Sequence, residues 1–214
     1  MIEACRIVES QSRLYAEQAT SSYEKALYLE SILEDTKPKL PAKGWHPLIA
    51  TPFRYPVPIT PGYQARFRPP FFAKNVLYAS RELRTTLYEH AYHFLRERIH
   101  LNGIRETGLR TAFTLFITSP RVTDLRKHKA LPKIMDRRDY AASHAFIQTH
   151  PDSKVILYPS CRDPRHGDNF AVLDIHCLAR HIGKQETLSF YFEPDSSSLV
   201  WMESGLRISW KEIS

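Results

Sequence analysis

Residues 75–99 read NVLYASRELRTTLYEHAYHFLRERI, and this stretch predicts a strand followed by a helix. The apolar run at 75–79 is typical of a short strand, and Ser80 is a favoured residue type at a helix N-terminus. Apolar side chains then recur every three or four positions over about 81–99, namely Leu83, Leu87, Ala91, Leu95 and Ile99. A strand joined to a helix with one apolar face indicates an α/β-type domain.

The second half of the sequence is rich in predicted strands. Runs of β-branched and aromatic residues predict strands at 110–118, near Val122, and at 155–158, 170–175, 187–192 and 199–202. A helix is predicted at about 139–148. We therefore expect a single domain of mixed α and β structure, whose central sheet is mostly antiparallel or mixed.

Residues 1–40 are predicted to form a helical N-terminal extension to a domain at 41–214. Ser21 followed by Glu24 fits a capping box that divides this stretch into two helices, and two prolines end it near residue 40. The prediction rests on apolar residues at roughly helical spacing, which are Leu14, Ala19, Tyr23, Ala26, Leu27, Leu29, Ile32 and Leu33.

Residues 41–75 combine many prolines with many aromatic residues. A disordered linker rarely carries so many aromatic side chains. The composition therefore predicts an ordered, irregular segment packed against the core.

Composition and charge narrow the classes of function. The chain has 214 residues and a net charge of +7, and its apolar runs are far shorter than the ~20 residues of a membrane span. The N-terminus lacks a basic region followed by an apolar one, and three cysteines are too few for a disulfide framework, so a cytoplasmic protein is expected. Residues 66–138 hold 16 lysines and arginines against 6 aspartates and glutamates, a basic excess that attracts polyanions.

Several familiar motifs are missing or incomplete. His90 and His93 lack the spacing of a zincin helix, and they are interpreted as surface or packing histidines with no metal expected. Neither G-x-G-x-x-G nor a Walker A loop occurs among the 7 glycines. Cys161 is interpreted as a small buried thiol. Taken singly, Arg66, Tyr78, Glu89 and Ser160 have ordinary structural interpretations as well.

Three segments taken together resemble a known family. They are Ala65-Arg66-Phe67-Arg68-Pro69-Pro70 followed by the Leu-Tyr strand at 76–80, the helix segment at 85–91, and Tyr158-Pro159-Ser160-Cys161-Arg162 followed by Gly167-Asp168-Asn169-Phe170-Ala171-Val172. In this order, over residues 62–175, they resemble the RES domain. That family is named for its Arg, Glu and Ser, is best known as the toxin half of Xre–RES toxin–antitoxin pairs, and resembles ADP-ribosyltransferases in fold.

The resemblance implies an enzyme that consumes NAD as its substrate, without a metal, by breaking the bond between nicotinamide and ribose. It implies that Glu89 stabilises the positive charge at the anomeric carbon, that Tyr78 contacts the nicotinamide–ribose end, and that an arginine binds the pyrophosphate. Many family members have Asn and Gly where Arg68 and the two prolines stand, which leaves Arg66 and Arg68 as alternatives for that arginine. Ser160 is expected to position ribose or phosphate, and Asn169 completes the expected binding residues.

The acceptor of ADP-ribose and the partners stay open at this stage. Water, phosphate and a target protein are alternative acceptors, and a basic nucleic-acid-binding or nuclease-type toxin is the alternative function. The resemblance further implies an Xre-like antitoxin, whose acidic C-terminal segment would cover the site. A homodimer is a further expected assembly, and no membrane is expected.

Overall fold

The computed structural model describes residues 1–10, 20–40, 43–55, 65–70, 74–100 and 105–214. The strands in these ranges are β1 (Ile2–Glu9), β2 (Leu77–Ser80), β3 (Glu106–Ile117), β4 (Thr123–Asp124), β5 (Val155–Pro159), β6 (Asp168–Val172), β7 (Gln185–Glu193), β8 (Ser198–Trp201) and β9 (Leu206–Ser209). The helices are α1 (Tyr23–Thr36), α2 (Pro47–Ala50), α3 (Leu83–Arg98), α4 (Leu131–Ile134), α5 (Ala141–Thr149) and α6 (Trp210–Ile213). None of these helices combines the length and apolar character that crossing a membrane requires.

All nine of these strands form one sheet in the order β4-β5-β6-β2-β1-β3-β7-β8-β9. Neighbouring strands are antiparallel except for the parallel pair β4–β5. The expected mixed α and β fold with a mostly antiparallel sheet is confirmed.

The helix predicted for the first residues is wrong at Ile2–Glu9, because this segment is the central strand of the sheet. It pairs with β3 along its whole length, from Ile2 opposite Ile117 to Glu9 opposite Arg110. Its β-branched residues suit a strand, and on its other side it pairs with β2 at Cys5 opposite Ser80. The N-terminal stretch therefore contributes to the same sheet as the rest of the chain.

The second part of the predicted N-terminal helix is confirmed as α1. Its N-cap is Ser22, whose side chain accepts a hydrogen bond from the Lys25 amide at 3.4 Å, one residue later than the predicted Ser21. The helix ends at Thr36, before Pro38. Leu14 and Ala19, on which the prediction also rested, lie outside the described residues.

Helix α3 packs its predicted apolar face against the sheet. Leu87, Ala91 and Leu95 are buried with Phe190 and Trp201 in one core cluster. The helix begins after Glu82 and not after the predicted Ser80, which is the last residue of β2. The side of α3 that carries Glu89 and His93 is left facing a cavity.

The predicted strands of the second half are confirmed as β3, β4, β5, β6, β7 and β8, and the predicted helix as α5. Strand β9 was not predicted. In the proline-rich segment, Ile49, Ala50 and Phe67 are fully buried, as expected of a segment packed on the core. The rest of that segment at 41–42, 56–64 and 71–73 lies outside the described residues.

Candidate active site

A cavity of about 310 Å³ lies where α3 crosses the middle of the sheet. This volume is in the range of small-molecule sites. Its lining includes four arginines (Arg6, Arg66, Arg96 and Arg162) and four tyrosines (Tyr78, Tyr92, Tyr140 and Tyr158). Among the described residues that line it, Glu89 is the one carboxylate. A cavity with this lining fits a ligand that carries both negative charge and flat rings.

Glu89 projects from α3 into the cavity, and one of its oxygens is held by two donors. Oε1 accepts hydrogen bonds from the Ser160 hydroxyl at 2.7 Å and from the Asn169 amide at 2.6 Å. No described residue donates a hydrogen bond to Oε2. The two bonds fix the carboxylate group through Oε1.

Ser160 lies behind Glu89 and is fully buried. Its oxygen accepts hydrogen bonds from the backbone amides of Arg162 at 3.0 Å and Asp163 at 2.9 Å. With both lone pairs occupied, its hydroxyl proton points to Glu89. Ser160 is not among the residues that line the cavity, and the side chain that its hydroxyl contacts is Glu89.

The loop between β5 and β6 is closed tightly enough to fix Ser160. The Ser160 amide donates to the Gly167 carbonyl at 2.7 Å, and the Thr85 hydroxyl on α3 donates to the buried Asp163 carboxylate at 2.8 Å. A Cβ atom at Gly167 would lie 2.0 Å from Thr85 Oγ1, so a glycine is required there. The loop is thereby docked on the helix that carries Glu89.

Arg66 reaches the cavity from a two-residue turn. The backbones of Ala65 and Arg68 hydrogen-bond to each other, which places Arg66 and Phe67 at the tip. Phe67 is buried against Tyr158, and the Arg66 guanidinium donates to the Ile134 carbonyl and to Cys161 Sγ at 3.1 Å. Arg68 does not line the cavity. Of the two alternatives left by the sequence, the structure brings Arg66 to Glu89's cavity.

Tyr78 lines the cavity and also supports the turn that carries Arg66. Its hydroxyl accepts a hydrogen bond from the Phe67 amide at 3.1 Å, and its carbonyl accepts one from Arg6 at 2.6 Å. Burial raises the pKa of Tyr140 and of Tyr158, so both lining phenols stay neutral.

A family model described as the RES domain matches residues 39–193. The chain belongs to the RES domain family. No curated protein matches it. The match includes Arg66, Glu89 and Ser160, which the structure brings to one place although Glu89 and Ser160 are 71 positions apart. Arg6 on β1 and the end of the chain from β8 onwards lie outside the matched residues.

Three arginines that line the cavity were not predicted as site residues from the sequence. Arg6 was not recognised as a site residue because its strand was predicted to be a helix. Arg96 follows Glu89 by seven positions, a spacing that places both on one helix face. Arg162 stood in the quoted Tyr-Pro-Ser-x-Arg motif. Its guanidinium lies 3.5 Å from the centroid of the Tyr92 ring and donates to the carbonyls of Ile213 and Arg137.

The structure changes the interpretation of Cys161 and confirms that of His90 as a packing histidine. Cys161 is only half-buried and lines the cavity beside Arg66, whereas a buried thiol was expected. His90 and His93 both line the cavity, and His90 also packs against Trp201 as a packing histidine would. Burial lowers the pKa of His90 to about 3, and Arg110 donates a hydrogen bond to its Nε2 at 3.0 Å.

No group of three or more His, Cys, Asp or Glu side chains in the described ranges is arranged to hold a metal ion.

Proposed function

We propose that this RES domain binds NAD in the cavity and breaks the bond between nicotinamide and ribose. The observation that carries the proposal is that Glu89, the one carboxylate among the described residues of an arginine- and tyrosine-lined cavity, is fixed through one oxygen by Ser160 and Asn169. The family supports a toxin-type, NAD-related activity, and the cavity supplies the groups that such an activity needs.

The reaction needs one carboxylate rather than two. The bond between the anomeric carbon and the nicotinamide nitrogen breaks, its electron pair goes to the nitrogen, and the cationic ring leaves as neutral nicotinamide. No acid has to protonate this leaving group, in contrast with ordinary glycosidases. The positive charge developing on the ribose is stabilised by the fixed charge of Glu89.

The pyrophosphate is bound by arginine in this proposal. A guanidinium is planar, permanently charged and able to form two parallel hydrogen bonds to phosphate oxygens. Arg66 is the first choice because it is mostly buried, at 8% exposure, and lies in the same cavity as Glu89. The lining tyrosines offer faces and edges on which the nicotinamide ring packs.

The second half of the reaction attaches ADP-ribose to an acceptor. Water, phosphate and a protein side chain all attack the same carbon, and each leaves a different product. An inhibitory antitoxin stays a prediction, and the four arginines are where an acidic segment of such a partner would bind.

The direct test is incubation of the purified protein with NAD and, separately, with RNA. We expect nicotinamide to be released and RNA to stay intact. Mass spectrometry of the other product then identifies free ADP-ribose, ADP-ribose 1″-phosphate or a modified protein as the outcome. RNA cleavage without nicotinamide release would replace the proposal with the nuclease alternative.

A further inference from the structure

Asn169 connects Glu89 to Ser80. Its Nδ2 donates to Glu89 Oε1 at 2.6 Å, and its Oδ1 accepts a hydrogen bond from the Ser80 hydroxyl at 2.7 Å. Ser80 and Asn169 are directly opposite each other on β2 and β6, and each is 2% exposed. The three side chains therefore form a hydrogen-bonded chain, buried at Ser80 and Asn169, that ends on the Glu89 carboxylate.

The direction of this chain follows from the chemistry of its members. An ionised carboxylate can only accept hydrogen bonds, so the NH₂ group of Asn169 has to face Glu89. The amide oxygen is then turned towards Ser80, which has to donate its proton. Without that donor, the amide oxygen would be left buried and unsatisfied in this orientation, which is unfavourable.

We infer that Ser80 is a positioning residue, which holds Glu89 through Asn169 so that Oε2 faces the substrate. This inference rests on the proposed NAD cleavage, because it assigns Ser80 a part in that reaction. Ser80 also lines the cavity, so direct contact with the substrate is the competing explanation. If Ser80 acts through Asn169, the loss of its hydroxyl affects the reaction only while Asn169 is present. If Ser80 contacts the substrate directly, the loss has the same effect with or without Asn169.

A double-mutant cycle separates the two explanations. Ser80→Ala, Asn169→Ala and the double variant are compared with the wild type in nicotinamide release. We expect Ser80→Ala to lower kcat about tenfold with KM changed less than twofold, as the loss of one supporting hydrogen bond implies. In the Asn169→Ala background we expect Ser80→Ala to have no further effect. An equal loss in both backgrounds would overturn the inference.

Ser198→Ala is the matched control for a buried serine on a strand. Its hydroxyl donates to the Ser196 carbonyl at 3.0 Å, and it does not line the cavity. This variant should keep the wild-type kcat, and folding of all variants is compared by circular dichroism.

A second readout does not depend on turnover. The side-chain amide protons of Asn169 are followed by NMR, and we expect Ser80→Ala, but not Ser198→Ala, to shift their signal and speed their exchange with water. An unchanged signal in Ser80→Ala would overturn the inference even if the enzyme is active. Absence of nicotinamide release from the wild type would instead overturn the proposed function, and with it the role of Ser80 in that reaction.

Discussion

Replacing Ser160 with alanine removes three hydrogen bonds at one buried point. Its oxygen accepts from the amides of Arg162 and Asp163, and its proton is donated to Glu89. Each backbone bond contributes about 1 kcal/mol, and the bond to the charged carboxylate about 2 kcal/mol. We therefore expect Ser160→Ala to lose roughly 4 kcal/mol of unfolding free energy, or on the order of 10 °C in melting temperature for a chain of this size.

The assay is urea denaturation followed by circular dichroism, with nicotinamide release measured in parallel. Ser198→Ala is again the control, because its hydroxyl makes one hydrogen bond to a carbonyl and should cost about 1 kcal/mol. Ser160→Ala should also lower kcat by at least about tenfold, since Glu89 loses one of its two donors. A stability loss no larger than that of Ser198→Ala would refute the reasoning.

Two further predictions concern binding and pH. Arg66→Ala should raise KM for NAD by about tenfold or more, and Arg68→Ala should have little effect, because only Arg66 of the two lines the cavity; a larger KM increase in Arg68→Ala would contradict this assignment. His90 has a folded pKa of about 3 against an ordinary 6.5, so the unfolded chain takes up the proton first and stability falls as the pH drops from 6.5 towards 3. At pH 4.5 this lowers the free energy of unfolding by roughly 2–3 kcal/mol. The unfolding free energy is measured by urea denaturation at pH 7 and at pH 4.5. It should fall less between these two pH values in His90→Gln than in the wild type, whereas His100→Gln, at an exposed position, should behave like the wild type. An equal fall in the wild type and in His90→Gln would refute the argument.

The strand and helix at 75–99 could be predicted because their patterns are local. Leu87, Ala91 and Leu95 recur at helical spacing and are buried as expected. Strand β1 could not be predicted in the same way, because only Ala4 among its eight residues is buried and no clean alternation marks it. Arg6 was missed with it.

The candidate site depends on contacts that no local pattern contains. Glu89 and Ser160 meet only because the β5–β6 loop docks on α3. Both residues were predicted to belong to the site from the resemblance to the RES family, and not from their spacing in the sequence. Ser80 was predicted as a helix cap because its residue type favours that position. In the fold its hydroxyl is committed to Asn169, 89 positions away, and the helix begins later.

In the proposed reaction, the Glu89 carboxylate drives the release of nicotinamide from NAD. Glu89→Gln keeps the size of the side chain and removes its charge, and Glu97→Gln makes the same change on the same helix at an exposed position, where 65% of the side chain is accessible. We predict that Glu89→Gln lowers the rate of nicotinamide release by at least about a hundredfold, as loss of charge stabilisation in the transition state implies, and that Glu97→Gln matches the wild type. Near-wild-type release by a folded Glu89→Gln variant would contradict the account.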